Sequence, residues 1–158
     1  METITTAQLS EYEKERGKPM PSKNHGLIQS NLTGLLFASY RKTYSFPTEL
    51  TLHLGEKDYV PDICIYPKMT FNGRQDEIRM TEVPITAIEI ISPTQGQEEI
   101  MKKFETYFAH GVQSCWFVQT LTDSISIFLP DNQVLVFHQE ILSDPTSRIA
   151  VDLREVFE

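Results

Sequence analysis

Two short runs of strand composition each carry a single carboxylate among apolar residues, and any fold of this chain has to accommodate both. One run is Val60-Pro61-Asp62-Ile63-Cys64-Ile65-Tyr66-Pro67-Lys68; the other is Ala87-Ile88-Glu89-Ile90-Ile91-Ser92-Pro93. Their β-branched and aromatic residues favour strands. Charge placed in such a run is costly to bury unless it is paired or holds a metal. Asp62 and Glu89 are therefore candidates for a two-carboxylate cation site.

At 158 residues and 40% hydrophobic, the chain suits one compact domain spanning residues 1–158, and it is too short for two. The net charge of -8 and the pI near 5.0 argue against a broad basic surface for gripping nucleic acid, while leaving room for a local positive cleft. Cys64 and Cys115 lie inside apolar runs without metal-type spacing, which reads as two small core thiols. No secretory pattern follows Met1 and no apolar run approaches membrane-spanning length, so the expectation is a soluble protein in the reducing cytoplasm with no membrane partner.

Helix-forming residues predict a first, mostly polar helix over Thr6 to Arg16, stopped by Gly17, Pro19 and Pro21. Ser22 caps a second, whose apolar face is Leu27, Ile28, Leu32, Leu35, Leu36 and Ser39. Leu50, Leu52 and Leu54 alternate with polar residues as a half-buried strand. Gly55 to Asp58 reads as a turn, so this strand and Tyr59 to Tyr66 are expected to form a hairpin that delivers Asp62. Thr70 to Thr81 lacks periodicity and reads as a mobile surface loop. The buried run Ile85 to Ile91, a helix over Gln97 to His110 ending at Gly111, and the strand Ser114 to Val118 make a strand–helix–strand unit. Asp123 to Leu129 and Val134 to His138 pair across Pro130-Asp131-Asn132, and Ala150 to Phe157 closes the chain as a short strand or helix.

Asp62, Glu89 and a lysine of the following helix, Lys102 or Lys103, together suit a hard divalent cation, which takes carboxylate oxygens and waters. The main-chain carbonyl of Ile91 can add a ligand, and the lysine can orient water or stabilise charge developing at phosphorus. The reaction such a set serves is phosphodiester hydrolysis. Lys102 and Lys103 project about 100° apart on a helix, and it is Lys103 that shares a face with Glu99 and Tyr107.

At these residues the chain resembles a known family. Pro61-Asp62, Glu89-Ile90-Ile91-Ser92-Pro93, and Glu99 to Lys103 with Tyr107, Gly111-Val112 and Trp116 beyond, are similar to the Uma-type restriction endonucleases, a branch of the PD-(D/E)xK nuclease superfamily. The likeness runs from about Pro21 to the C-terminus. It implies a restriction endonuclease-like α/β (α+β) fold, a mixed β-sheet flanked by helices. It also implies that Asp62, Glu89 and the Ile91 carbonyl bind Mg2+ (or Mn2+), that Lys103 completes the catalytic set, and that DNA is the substrate. Ile91 stands where the parent superfamily motif has lysine, a role the Uma-type branch passes to the helix, here Lys103. Glu99 replaces a frequent aspartate, and the stretch before Pro21 lacks the family's usual Tyr-Glu-Leu-Ile-Asp-Gly segment.

Plainer readings compete with these. A structural ion pair with lysine would also account for Glu89, and an intrahelical Glu99–Lys103 pair for the helix pattern. His25, His53, His110 and His138 are scattered without zinc-type spacing, although His25 is placed to border a cleft. Neither Ser92 nor Cys115 has a histidine motif for nucleophilic catalysis, and Trp116 reads as core. The expected function is a metal-dependent DNA endonuclease. The alternatives are a nuclease-fold binding or assembly module without cleavage, and another metal-dependent phosphoesterase. A homodimer is expected, through edge strands and the Trp116 region.

Overall fold

A computed structural model describes residues 10–16, 20–93 and 95–158, without the side chains of Tyr12, Glu15 and Arg16. In chain order the elements are α1 (Glu11–Arg16), α2 (Lys23–Tyr40), β1 (Tyr44–Ser45), β2 (Thr51–Leu54), β3 (Lys57–Tyr59), β4 (Ile63–Pro67), β5 (Arg79–Met80), β6 (Thr86–Ile90), α3 (Gln97–Ala109), β7 (Ser114–Gln119), β8 (Ser124–Phe128), β9 (Val134–Phe137), β10 (Ile141–Ser143), β11 (Ala150–Asp152) and α4 (Leu153–Val156). The main sheet is six-stranded, in the order β1-β4-β6-β7-β8-β9. β6 and β7 run parallel, with α3 as their crossover, and the other neighbours in this sheet are antiparallel. This is the mixed sheet with flanking helices that the sequence implies.

Strand alternation builds two cores on the two faces of that sheet. Ile63, Ile65, Ile88, Ile90, Trp116 and Val118 face α2, where Ile28, Leu32 and Leu36 meet them together with Leu153 and Val156 of α4. Cys64, Tyr66, Ala87, Cys115 and Phe117 face the opposite way and pack against Ile100, Phe104 and Tyr107 of α3. A sheet covered on both sides needs strands apolar at consecutive positions, which is why β4, β6 and β7 read as unbroken runs. Gly111, at φ +102, turns the chain from α3 into β7 in a conformation that a side chain would strain.

Several expectations change. Ser10 and Glu13 form a reciprocal capping box, with Glu13 N–H donating to Ser10 Oγ and Ser10 N–H to Glu13 Oε1, both at 3.2 Å, and α1 begins at Glu11. The part of the expected first helix from Thr6 to Leu9 lies outside the described residues. Leu27, assigned to the apolar face of α2, is 54% exposed; the buried stripe is His25, Ile28, Leu32 and Leu36. The hairpin after Leu50 is β2 with β3, not one strand from Tyr59 to Tyr66. The chain breaks at Val60 to Asp62 because Pro61 can offer no N–H to a ladder. β2 and β3 belong to a separate three-stranded sheet, β3-β2-β5, while β4 joins the main sheet beside β6. The loop from Thr70 to Thr81 also contains a strand, since Arg79–Met80 pairs in parallel with β2 and buries Met80. The closing segment is both strand and helix, with β11 pairing β10 before α4.

Candidate active site

The antiparallel register of β4 and β6 sets Ile63 opposite Ile88, so Asp62, one residue before β4, falls beside Glu89. Cys64 and Ala87 belong to the core under α3. Two residues along from Ala87, Glu89 turns to that face by strand periodicity, whereas Asp62 lies outside the strand and its side chain meets α2. Both are buried, Asp62 with 1% of its surface exposed and Glu89 with none. Two carboxylates withdrawn from water side by side are what this register produces.

Asp62 is held by both its main chain and its side chain. Its N–H donates to Ile88 O at 3.0 Å, and its carbonyl accepts from Gln29 Nε2 at 3.0 Å and Glu49 N–H at 3.2 Å. Oδ2 accepts the Ile90 N–H at 2.7 Å, and Oδ1 lies 3.0 Å from His25 Nε2. Glu89 is approached from the opposite layer, where Tyr107 of α3 donates its hydroxyl to Oε1 at 2.8 Å. Burial first, then the Glu89 charge and this hydrogen bond, push the Tyr107 phenol well above its ordinary 10.0. Burial, with Glu89 and Asp144 nearby, likewise pushes the Cys115 thiol up from 9.0.

Lys103 is half-buried on α3. As the crossover between parallel strands, α3 runs antiparallel to β6, so Lys103 lies one turn, about 5.4 Å, from Tyr107 toward the end of β6 where Asp62 and Glu89 sit. The intrahelical pairing in this helix is Glu98 with Lys102, at 3.7 Å, and among the described residues Lys103 has no ion pair with Glu99. Ile91 continues the ladder beyond β6, its N–H donating to Val118 O at 3.0 Å. Asp62, Glu89 and Ile91 thus lie at one end of the main sheet, and Lys103 is carried on the helix that packs over Glu89.

Among the described residues, no group of three or more His, Cys, Asp or Glu side chains is arranged to hold a metal. Two carboxylates and a main-chain carbonyl, all hard oxygen donors, still fit Mg2+, which keeps several of its waters and needs only one or two carboxylates.

The contacts of His25 and Gln29 with Asp62, and of the Tyr107 hydroxyl with Glu89, are the site features the sequence reading did not assign. One signal was present: His25, Ile28, Leu32 and Leu36 are spaced as one face, so a histidine sits in a buried stripe. His53 is different, an exposed cross-strand partner of Asp58 at 2.7 Å, with Arg79 on the other Asp58 oxygen at 2.8 Å. These partners hold the Asp58 carboxyl below its ordinary 3.8. Trp116 is fully buried and donates Nε1–H to Asp144 at 2.7 Å, so the Trp116 side chain is not available to a dimer surface.

No curated protein matches the chain. A solved structure described as "a putative nuclease belonging to DUF820 from Anabaena variabilis ATCC 29413" superposes with a TM-score of 0.76 at 22% identity, over 88% of this chain and 83% of that one. At that identity the likeness is one of fold. The model of the family Uma2, described as "Putative restriction endonuclease", matches residues 11–154. The chain therefore belongs to the Uma2 family of restriction endonuclease-like proteins.

Proposed function

We propose that the protein is a divalent-metal-dependent endonuclease that hydrolyses phosphodiester bonds of DNA, with Asp62, Glu89 and Lys103 as its catalytic residues. The observation that carries this reading is the burial of two carboxylates at one end of the main sheet, at 1% and 0% exposure, in a family of restriction endonuclease-like proteins. Burying two like charges together is unfavourable for folding, and a cation is what makes such an arrangement worthwhile. Asp62, Glu89 and the Ile91 carbonyl would hold Mg2+ or Mn2+. When bound, the ion supplies Lewis-acid polarisation of the phosphate and a more acidic water. Lys103, on a flexible stem at the mouth of the site, stabilises negative charge developing at phosphorus and orients the water.

The remaining expectations fit this reading. Both cysteines are buried and form no disulfide, as a reducing cytoplasm allows, and among the described residues no helix is long and apolar enough to cross a membrane. A homodimer would use the edge strand β9, where Val134 and Val136 are 43% and 53% exposed. A second reading, a nuclease-fold module without cleavage, is favoured by one observation: both Asp62 oxygens already face protein donors. Metal-dependent cleavage separates the two. Purified protein with Mg2+ or Mn2+ should cut DNA, and Asp62→Asn, Glu89→Gln and Lys103→Ala should each lose at least about 100-fold in rate while keeping the parent melting temperature within a few degrees. Retention of full rate by all three variants, or cleavage indifferent to chelator, would sink the proposal.

A further inference from the structure

We infer that His25, with Gln29 one turn later, is a positioning residue that sets the Asp62 carboxylate for the cation; this rests on the proposed reading of Asp62 as a metal ligand. Asp62 lies before β4 rather than within it, so the strand ladder alone does not hold its side chain. Two residues of α2 spaced i and i+4 grip it instead, His25 at the side chain and Gln29 at the main-chain carbonyl, each at 3.0 Å. A helix face places such a pair together. Because a carboxylate only accepts, the nitrogen facing it carries the hydrogen, and His25 Nε2 donates to Oδ1.

The ring is 5% exposed, and among the described residues its Nδ1 has no hydrogen-bond partner. A buried polar atom left without a partner costs about 1–3 kcal/mol, so packing alone is a poor account of a histidine at this place in an apolar stripe. The ring nitrogen that does have a partner, Nε2, faces Asp62. Ser22 accepts the His25 main-chain N–H at 3.2 Å and fixes the first turn of α2 from which the ring projects. The Ile90 N–H takes the other oxygen of Asp62, and together the two donors define the plane of its carboxylate. Groups that orient a metal-binding side chain in this way typically contribute about 10–100-fold to metal affinity.

The test is Mn2+ affinity, measured by calorimetry on the full chain, with the metal-free melting temperature measured alongside. His25→Leu fills the volume without a donor, His25→Ala removes both, and His25→Gln returns an amide N–H. The expected result is Mn2+ binding weakened about 10–100-fold in the Leu and Ala variants and restored to within a few-fold of the parent by Gln. Mn2+ binding that is lost in Asp62→Asn but unchanged in His25→Leu and His25→Ala overturns this inference and leaves the metal site standing. Failure of both the Leu and Ala variants to fold assigns His25 to structure and overturns it as well. Absence of Mn2+ binding in the parent protein overturns the metal reading itself and, with it, the role given to His25.

Discussion

Tyr107 and Glu89 join the β6 and α3 layers, a phenol donating to a carboxylate at 2.8 Å with neither group exposed. A hydrogen bond to a charged group contributes about 1.5–3 kcal/mol, so Tyr107→Phe should lower the unfolding free energy by about that amount in urea denaturation at neutral pH. The same residue has a signature in alkali. The phenol is protonated in both states below its ordinary 10.0; above that value the unfolded chain releases the proton while the folded protein, with its phenol held higher, retains it. The native state then binds more protons, and stability falls as pH rises from 10 toward the folded value. Tyr66, buried and donating to Glu82 O at 2.7 Å, is also pushed up, chiefly by burial, and contributes in the same sense. Tyr107→Phe should therefore lose stability less steeply than the parent above pH 10, and equal slopes for the two proteins would contradict this account.

At the scale of elements, the site depends on how α2 begins and on how the C-terminal strands are tied to the main sheet. Ser22 accepts the His25 N–H at 3.2 Å as the N-cap of α2, and Ser22→Ala should cost about 1 kcal/mol, read as a lowered thermal midpoint. A buried carboxylate outside the site makes the second tie. Asp144, 1% exposed and just beyond β10, accepts Ser114 Oγ and Trp116 Nε1, both at 2.7 Å, from β7. Its other oxygen accepts Thr146 N–H at 2.8 Å and Thr146 Oγ1 at 2.7 Å. Four neutral donors make this a satisfied charge, and removing it strands all of them. Asp144→Ala should destabilise by more than about 3 kcal/mol and alter the near-ultraviolet circular dichroism of Trp116; a cost under about 1 kcal/mol would show that water replaces the carboxylate. Asp62 and Glu89 contrast with Asp144, which has no second carboxylate beside it in the ladder.

Across the whole molecule, one sheet separates two cores, one under α2 and one under α3, and the site lies where residues from both layers reach the same end of β4 and β6. Since β4, β6 and β7 contribute side chains to both faces, the two cores should melt together. Leu36→Ala, on the α2 side, should cost about 2–5 kcal/mol and shift the far-ultraviolet and Trp116 fluorescence transitions equally; separate midpoints would mean that the faces unfold independently. Much of this architecture was legible in local pattern. The unbroken apolar runs, the Ser22 cap, the strand–helix–strand unit and the β8–β9 hairpin each follow from side-chain periodicity and turn chemistry within a few residues. The break at Pro61, which moves Asp62 off the hairpin and beside the end of β6, is hidden locally because Tyr59 to Tyr66 has strand composition throughout. Arg79–Met80 showed no periodicity at two residues in length, and it became a strand only because β2 lies beside it. The amino-acid sequence by itself determined the doubly covered sheet, the placement of one carboxylate in each of two apolar runs, and the helix carrying Lys103 and Tyr107, since these depend on periods of two and of 3.6 residues. Only the tertiary structure decided that Asp62 stands beside Glu89, that His25 and Gln29 reach across from α2 to hold it, and that the Tyr107 hydroxyl of α3 donates to Glu89. Those contacts join residues such as Gln29 and Asp62, separated by 33 positions, or Asp62 and Ile90, separated by 28, and strand register and helix packing select them after local pattern has been satisfied.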